Sequence, residues 1–161
     1  MRPKGASVAK TNDGIKVLAF NRKARFNYAI QESFECGIAL KGTEVKSIKE
    51  GRFSFADSYA TVEKSELWLL DLHVTPYTFG NRANHDPLRK RKLLVHRKEI
   101  KRLGRVTAER GLTLVPLKIY LKRGIVKCEL GIAKGKKLFD KRDDIRKRDQ
   151  KREIEREYRI K

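Results

Sequence analysis

The sequence predicts a mainly β fold with inserted helices: a small antiparallel barrel continued by a long basic tail. Three observations carry the prediction. About six short runs are apolar or alternate apolar with polar side chains, and turn signals separate them closely. Two other stretches read as short helices, one with an apolar stripe at helical spacing. The last 28 residues hold thirteen Lys/Arg, seven Asp/Glu and only six sizeable apolar side chains. A segment that polar buries too little surface to offset the entropy of ordering itself.

The first stretch, MRPKGASVAKTNDG, has no apolar run of the kind a secretory signal needs, and residues 1–17 read as a flexible basic arm. NRKARFNY (21–28) sets three cations beside Phe26 and Tyr28. It reads either as a phosphate clamp with a stacking aromatic or as a solvated basic turn with Phe26 in the core. Phe34, Cys36, Ile38 and Leu40 alternate with Glu35, Gly37, Ala39 and Lys41, so a strand is expected with Glu35 facing away from the core. EVKSIKEG reads as one short helix ending near Gly51. Tyr59–Val62 and Leu67–Val74 flank Glu63-Lys64-Ser65-Glu66 as a hairpin without an Asn-Gly turn.

Residues 75–92 form a long polar loop carrying Pro76, Gly80, Pro87 and the cluster Arg89-Lys90-Arg91-Lys92. Leu93–Val95 is a short strand. The next helix is HRKEIKRLGRVTAERG, with Ile100, Leu103 and Val106 on one stripe and Gly111 as its C-cap. The clearest hairpin follows, with Val115, Leu117, Ile119 and Leu121 on one side of Lys122-Arg123-Gly124. Val126, Cys128, Leu130 and Ile132 alternate on the other, and Lys118, Lys127 and Glu129 take the opposite face. This pattern suits a barrel of the oligonucleotide-binding kind over residues 18–133. In the tail, residues 134–161, acids precede bases by four at Asp143→Lys147, Asp144→Arg148, Glu155→Arg159 and Glu157→Lys161. The tail therefore reads as a latent helix, disordered when free and helical when bound.

Charge narrows the function. The formal charge is +20, of which the tail supplies +6, leaving +14 on residues 1–133. Two basic surfaces point to polyanions, and nucleic acid is favoured. No segment has the length and apolarity of a spanning helix, and the tail lacks the apolar face of an interfacial one, so no membrane partner is expected. Cys36 and Cys128 lack metal-ligand spacing and read as buried fillers in a reducing, cytoplasmic protein. Glu35, Glu44, Asp57, Asp71 and Asp86 show no paired-acid motif, and His73, His85 and His96 are scattered. GIAKGKK (131–137) lacks the full phosphate-loop spacing. No catalytic site, metal or cofactor is read.

Taken together and in order, NRKARFNY (21–28), FECGIALKGTEVKSIKEG (34–51), DSYA (57–60), NHDPLRKRKLL (84–94), GLTLVPLKIY (111–120) and LGIAKGKKLFDKRDDIRKRD (130–149) resemble the small protein B (SmpB) family, the transfer-messenger RNA-binding proteins of bacterial trans-translation. The resemblance implies a barrel that grips the tRNA-like domain of that RNA through Asn21, Arg22, Lys23, Arg25, Tyr28, Glu35, Leu94 and Lys127. It implies a tail that enters the 16S rRNA decoding centre and mRNA channel of stalled ribosomes, using Lys134, Gly135, Lys136, Lys137, Phe139, Asp140, Lys141, Arg142, Ile145 and Arg148. Elongation factor Tu and alanyl-tRNA synthetase would act on the same RNA. Two departures stand out: Gln150 where many relatives carry Trp, and Phe139 in an aromatic-or-His slot, which leaves stacking and argues against proton transfer. The alternative is a structural ribosomal or ribosome-assembly protein using the same basic surfaces.

Overall fold

The computed structural model describes residues 10–11 and 14–159. Most of the N-terminal arm, and Lys161 with its Glu157→Lys161 pair, lie outside the described residues. β1 (Lys10–Thr11) and β2 (Ile15–Phe20) precede α1 (Arg22–Asn27), which runs directly into β3 (Tyr28–Ile38). Then come α2 (Gly42–Lys49), β4 (Phe53–Ser54), β5 (Tyr59–Glu63), β6 (Glu66–Leu70) and β7 (His73–Val74). A loop containing a 3-10 turn at Asn81–Ala83 leads to β8 (Arg91–Leu94), α3 (Arg97–Arg110), β9 (Thr113–Lys122), β10 (Ile125–Gly135) and α4 (Leu138–Arg159).

Six strands make the expected barrel. β9, β10, β3, β8, β6 and β5 pair in that order, and Ala60 of β5 returns to Leu114 of β9 to close the ring. β2 pairs with the far end of β9, from Ile15↔Lys122 to Phe20↔Lys118. Closure leaves those six strands few free edges. Both predicted hairpins are present, and each turns on two residues of positive φ: Lys64 (49°) with Ser65 (63°), and Arg123 (51°) with Gly124 (77°). That backbone matches the strand twist, so the first hairpin adopts the shape an Asn-Gly pair would favour without having one.

The core fills the ring. Leu67, Leu69, Leu93, Leu114, Ile119, Cys128 and Leu130 are buried, closed at the ends by Ile48 of α2 and Leu103 of α3. Each of these Leu and Ile side chains contributes about 1.5–3 kcal/mol of burial. α3 packs over β5 at Gly104, where a Cβ would make only an ordinary contact with Val62, at 3.7 Å. Gly111, at φ 59°, caps α3 in the left-handed conformation expected of it.

Several boundaries differ from the sequence reading. Ile15–Val17, assigned to the arm, are half of β2. Within NRKARFNY, Arg22–Asn27 form a helix, α1, which neither reading of that stretch specifies. The Leu67–Val74 run breaks at Asp71, whose φ is 56°. β10 continues through Gly135, two residues past the expected end of the barrel, and Gly135 is extended rather than bent. The alternation in β9 also fails midway. Glu129 pairs with Lys118 but Leu130 with Pro116, so Leu117 is an inserted bulge residue. Leu114 and Ile119 consequently face the core, while Val115 and Leu117 face outward against Ala24, Tyr28, Ile30 and Ala133 in a second small cluster. That cluster is the seat of α1.

α4 is helical where a helix was expected, but the ion pairs within it, among the described residues, are Asp143–Arg146 and Asp149–Arg152, three residues apart rather than the four expected. Asp144 pairs with Lys136 at 2.6 Å instead of with Arg148, because the helix start folds back toward α1. No helix among the described residues is long and apolar enough to cross a membrane.

Candidate nucleic-acid interface

The outward face of β2, β9, β10, β3 and β8 gathers most of the residues singled out on the barrel. At one end α1 rides on the second cluster. Asn21 starts it: its Oδ1 accepts from the Ala24 N–H at 3.0 Å, and its Nδ2 donates to the Pro116 carbonyl at 2.9 Å. An N-cap bond of this kind satisfies an otherwise orphaned helix donor. Asn21 is 6% exposed, so its amide points into the protein and sets the pose of α1. Arg22, Lys23 and Arg25 stand exposed on the helix. Lys23 reaches Asp57 at 3.0 Å, an exposed pair that an arriving phosphate can replace at little cost. Tyr28 is half-buried at the end of α1.

In the middle of the face, Lys118 and Glu129 pair across strands at 2.6 Å. Beyond them lies Glu35. The Tyr120 hydroxyl donates to its Oε2 at 2.5 Å, Lys122 Nζ lies 3.1 Å away, and Lys127 Nζ is 3.7 Å from Oε1. The Tyr120 bond, with help from both lysines, holds the Glu35 carboxyl below the usual carboxylate range. Burial, and then the bond to Glu35, push the Tyr120 phenol above its ordinary value. The carboxylate is therefore occupied: it organises two ammonium groups and a phenol rather than offering free acceptors. Leu94 pairs with Gly37, and a Cβ on Gly37 would lie 3.2 Å from Leu94 Cβ, so Leu94 lies across a strand kept bare for it. Half exposed (52%), it forms with Glu35, Lys127 and His96 the wall of an open cleft.

Sequence reasoning missed Tyr120 and Lys122. Their signal was the Lys118-Tyr120-Lys122 alternation on the outward side of β9. Their link to Glu35 spans more than eighty positions and has no local trace.

The tail joins this face at α1. The Lys136 N–H donates to the Asn27 carbonyl at 2.9 Å, and its ammonium reaches both the Arg25 carbonyl (3.3 Å) and Asp144 (2.6 Å). That ammonium holds the Asp144 carboxyl below its usual range. Asp140 accepts from the Lys137 N–H at 3.3 Å at the start of α4, where a carboxylate suits the helix dipole. Arg148 lies over the Phe26 ring at 5.7 Å. Lys136 and Arg148 are thus joined to the barrel. Lys134, Lys137 and Arg142 are exposed, as are Phe139 (61%) and Ile145 (45%), while Lys141 is half-buried. Phe26 is half-buried beneath Arg148, a position between the two readings of the sequence.

Among the described residues no group of three or more His, Cys, Asp or Glu is placed to hold a metal ion. The face has cations, the paired carboxylates of Glu35 and Glu129, an apolar leucine and aromatic edges. It can neutralise phosphates and meet bases or sugars between them.

Comparison with known proteins agrees in length and order. The family model described as SmpB protein matches residues 18–160. The SsrA-binding protein of Desulfitobacterium hafniense (strain DSM 10664 / DCB-2) is 57% identical over 148 residues, covering 92% of this chain and 95% of the relative. That of Bacillus subtilis (strain 168) is 56% identical over 144 residues, covering 89% and 92%. Among solved structures, a chain described under "tmRNA-SmpB: a journey to the center of the bacterial ribosome" is 54% identical with a TM-score of 0.62, covering 74% of this chain and 85% of that one.

Proposed function

Because the chain belongs to the SmpB protein family, we propose that it is a non-enzymatic, cytoplasmic adaptor that binds the tRNA-like domain of transfer-messenger RNA and carries it to stalled ribosomes for trans-translation. The observation that carries this reading is the single outward face joining α1 to the Glu35–Tyr120–Lys122–Lys127 cluster. Arg22, Lys23, Arg25, Lys122 and Lys127 take phosphates, Leu94 and Tyr28 meet base or sugar edges, and Asn21 and Glu35 hold the others in place. The tail serves the ribosome. Lys134, Gly135, Lys137, Phe139, Asp140, Lys141, Arg142 and Ile145 occupy the decoding centre and mRNA channel. Lys136 and Arg148 set where α4 leaves the barrel. The segment is a latent helix whose ordering is completed on the ribosome. Elongation factor Tu and alanyl-tRNA synthetase act on the RNA that the barrel holds.

The test compares the full-length protein with a form ending at Lys137, which keeps β10 and the Lys136–Asn27 bond. Binding to the isolated tRNA-like domain is titrated across salt against competing tRNA. Equal, selective binding by both forms is expected, with a salt slope of about 0.7–0.9 log units per phosphate contact. Lost binding on truncation, or equal competition by tRNA, would favour the structural ribosomal protein instead.

A further inference from the structure

The loop at residues 75–90 and α2 supply none of the residues of the outward face, yet they build a second, more compact surface. The loop is long but tightly tied. The Asn84 carboxamide closes it like a base pair: its Oδ1 accepts from the Tyr77 N–H and its Nδ2 donates to the Tyr77 carbonyl, both at 2.9 Å. Gly80 is packed against that amide, where a Cβ would lie 2.7 Å from Asn84 Oδ1. The Gly80 N–H donates to Tyr77 and the Ala83 N–H to Gly80, while Arg52 Nη1 donates to Thr78 Oγ1 at 2.6 Å.

This frame presents Phe79, which is 79% exposed. Its ring meets Tyr77 edge-on, with centroids 5.7 Å apart, and Lys46 of α2 stands 5.3 Å over the Tyr77 ring. Arg82, on the 3-10 turn, is exposed beside them. Beyond its edge contact with Tyr77 the Phe79 ring is open to solvent, and an ordered ring among cations suits a flat ligand flanked by anionic groups.

We propose that the Tyr77–Phe79 loop is a second RNA-binding site. It takes one unstacked base on the Phe79 ring, with the flanking phosphates on Lys46, Arg52 and Arg82. A pre-ordered ring pays little entropy on binding, and every base offers a π face, so the site reads an unpaired nucleotide and not a sequence. Arg52 is shared with Glu50 at 3.5 Å, an exposed pair that yields to phosphate.

The test uses the full-length protein and a single-stranded oligoribonucleotide carrying 2-aminopurine, whose fluorescence falls on stacking. Saturating tRNA-like domain is added to occupy the outward face. Phe79→Ala is expected to weaken oligonucleotide binding roughly five-fold or more and to abolish the quench. Phe79→Trp should restore both and Phe79→Leu neither, with affinity for the tRNA-like domain unchanged throughout. Repeating the titration without that domain keeps the result readable should the outward-face assignment fail. Unchanged binding by Phe79→Ala would overturn the proposal. Full binding by Phe79→Leu would also overturn it, because a contact that needs no ring is not base stacking.

Discussion

An acid at the centre of an RNA-binding face invites two opposite expectations, and Glu35 separates them. If it merely repelled phosphate, Glu35→Ala would tighten RNA binding. The structure argues the reverse, since its carboxylate holds Tyr120, Lys122 and Lys127 in one arrangement. The Glu35 side chain is 37% exposed and Lys122 43%, so each ion pair is screened and contributes at most about 1 kcal/mol. The Tyr120 bond adds about 1 kcal/mol, less than the roughly 1.5–3 kcal/mol usual for a charged acceptor, because the Glu35 carboxylate is partly exposed and water can replace it. Glu35→Ala should therefore lower stability by about 1–2 kcal/mol in urea unfolding, leaving the fold intact. Freed lysines pay rotamer entropy to meet phosphate, so affinity for the tRNA-like domain should fall about five-fold. The decisive assay is a double-mutant cycle with Lys127→Ala, read by fluorescence anisotropy. A coupling of about 0.5–1 kcal/mol is expected, because once Glu35 is gone Lys127 has less to lose. Tighter binding by Glu35→Ala, or strict additivity, would refute a positioning role. The pH dependence has a definite sign: the folded-state pKa is depressed, so the stabilisation is present above the ordinary carboxylate range and is lost as pH falls through the lower folded value.

Other expectations follow from the same geometry. Glu44 is buried between α2 and the end of the long loop, accepting from the Lys41 N–H at 2.8 Å, Arg89 Nε at 2.8 Å and Arg91 Nε at 3.0 Å. Glu44→Ala strands the buried Arg91 and should cost about 3–5 kcal/mol in urea unfolding. Burial opposes ionisation of Glu44, but those donors hold its pKa low, so its contribution too disappears only on acidification below the usual carboxylate range. Asn21→Ala removes the N-cap and leaves the Pro116 carbonyl unpaired, a loss of about 1–2 kcal/mol by chemical denaturation; Asn21→Asp keeps the cap acceptor but sets a buried carboxylate oxygen against the Pro116 carbonyl, so it should not recover the loss. Asp144→Ala frees the Lys136 ammonium, and amide exchange in the first turns of α4 should accelerate while the barrel amides stay protected.

Local chemistry makes much of this protein legible in its sequence. Alternation located both hairpins, Gly111 marked the end of α3, and acid–base spacing announced the helix of the tail, because each signal lies within a few residues of what it specifies. The excess of cations pointed to a polyanion for the same reason: charge adds up whatever the fold. Tertiary structure decided the rest. The Leu117 bulge, invisible in a run that alternates cleanly, turned Val115 and Leu117 outward and made a seat for α1. Asn21 reads as a polar member of a basic cluster until the Pro116 carbonyl arrives beside it, and Glu35 reads only as an acid on the outward side of a strand until Tyr120 and the two lysines converge on it. Such roles come from strands that pair only after the chain has closed loops of eighty residues or more, and a contact made across that distance leaves no periodicity in the residues on either side.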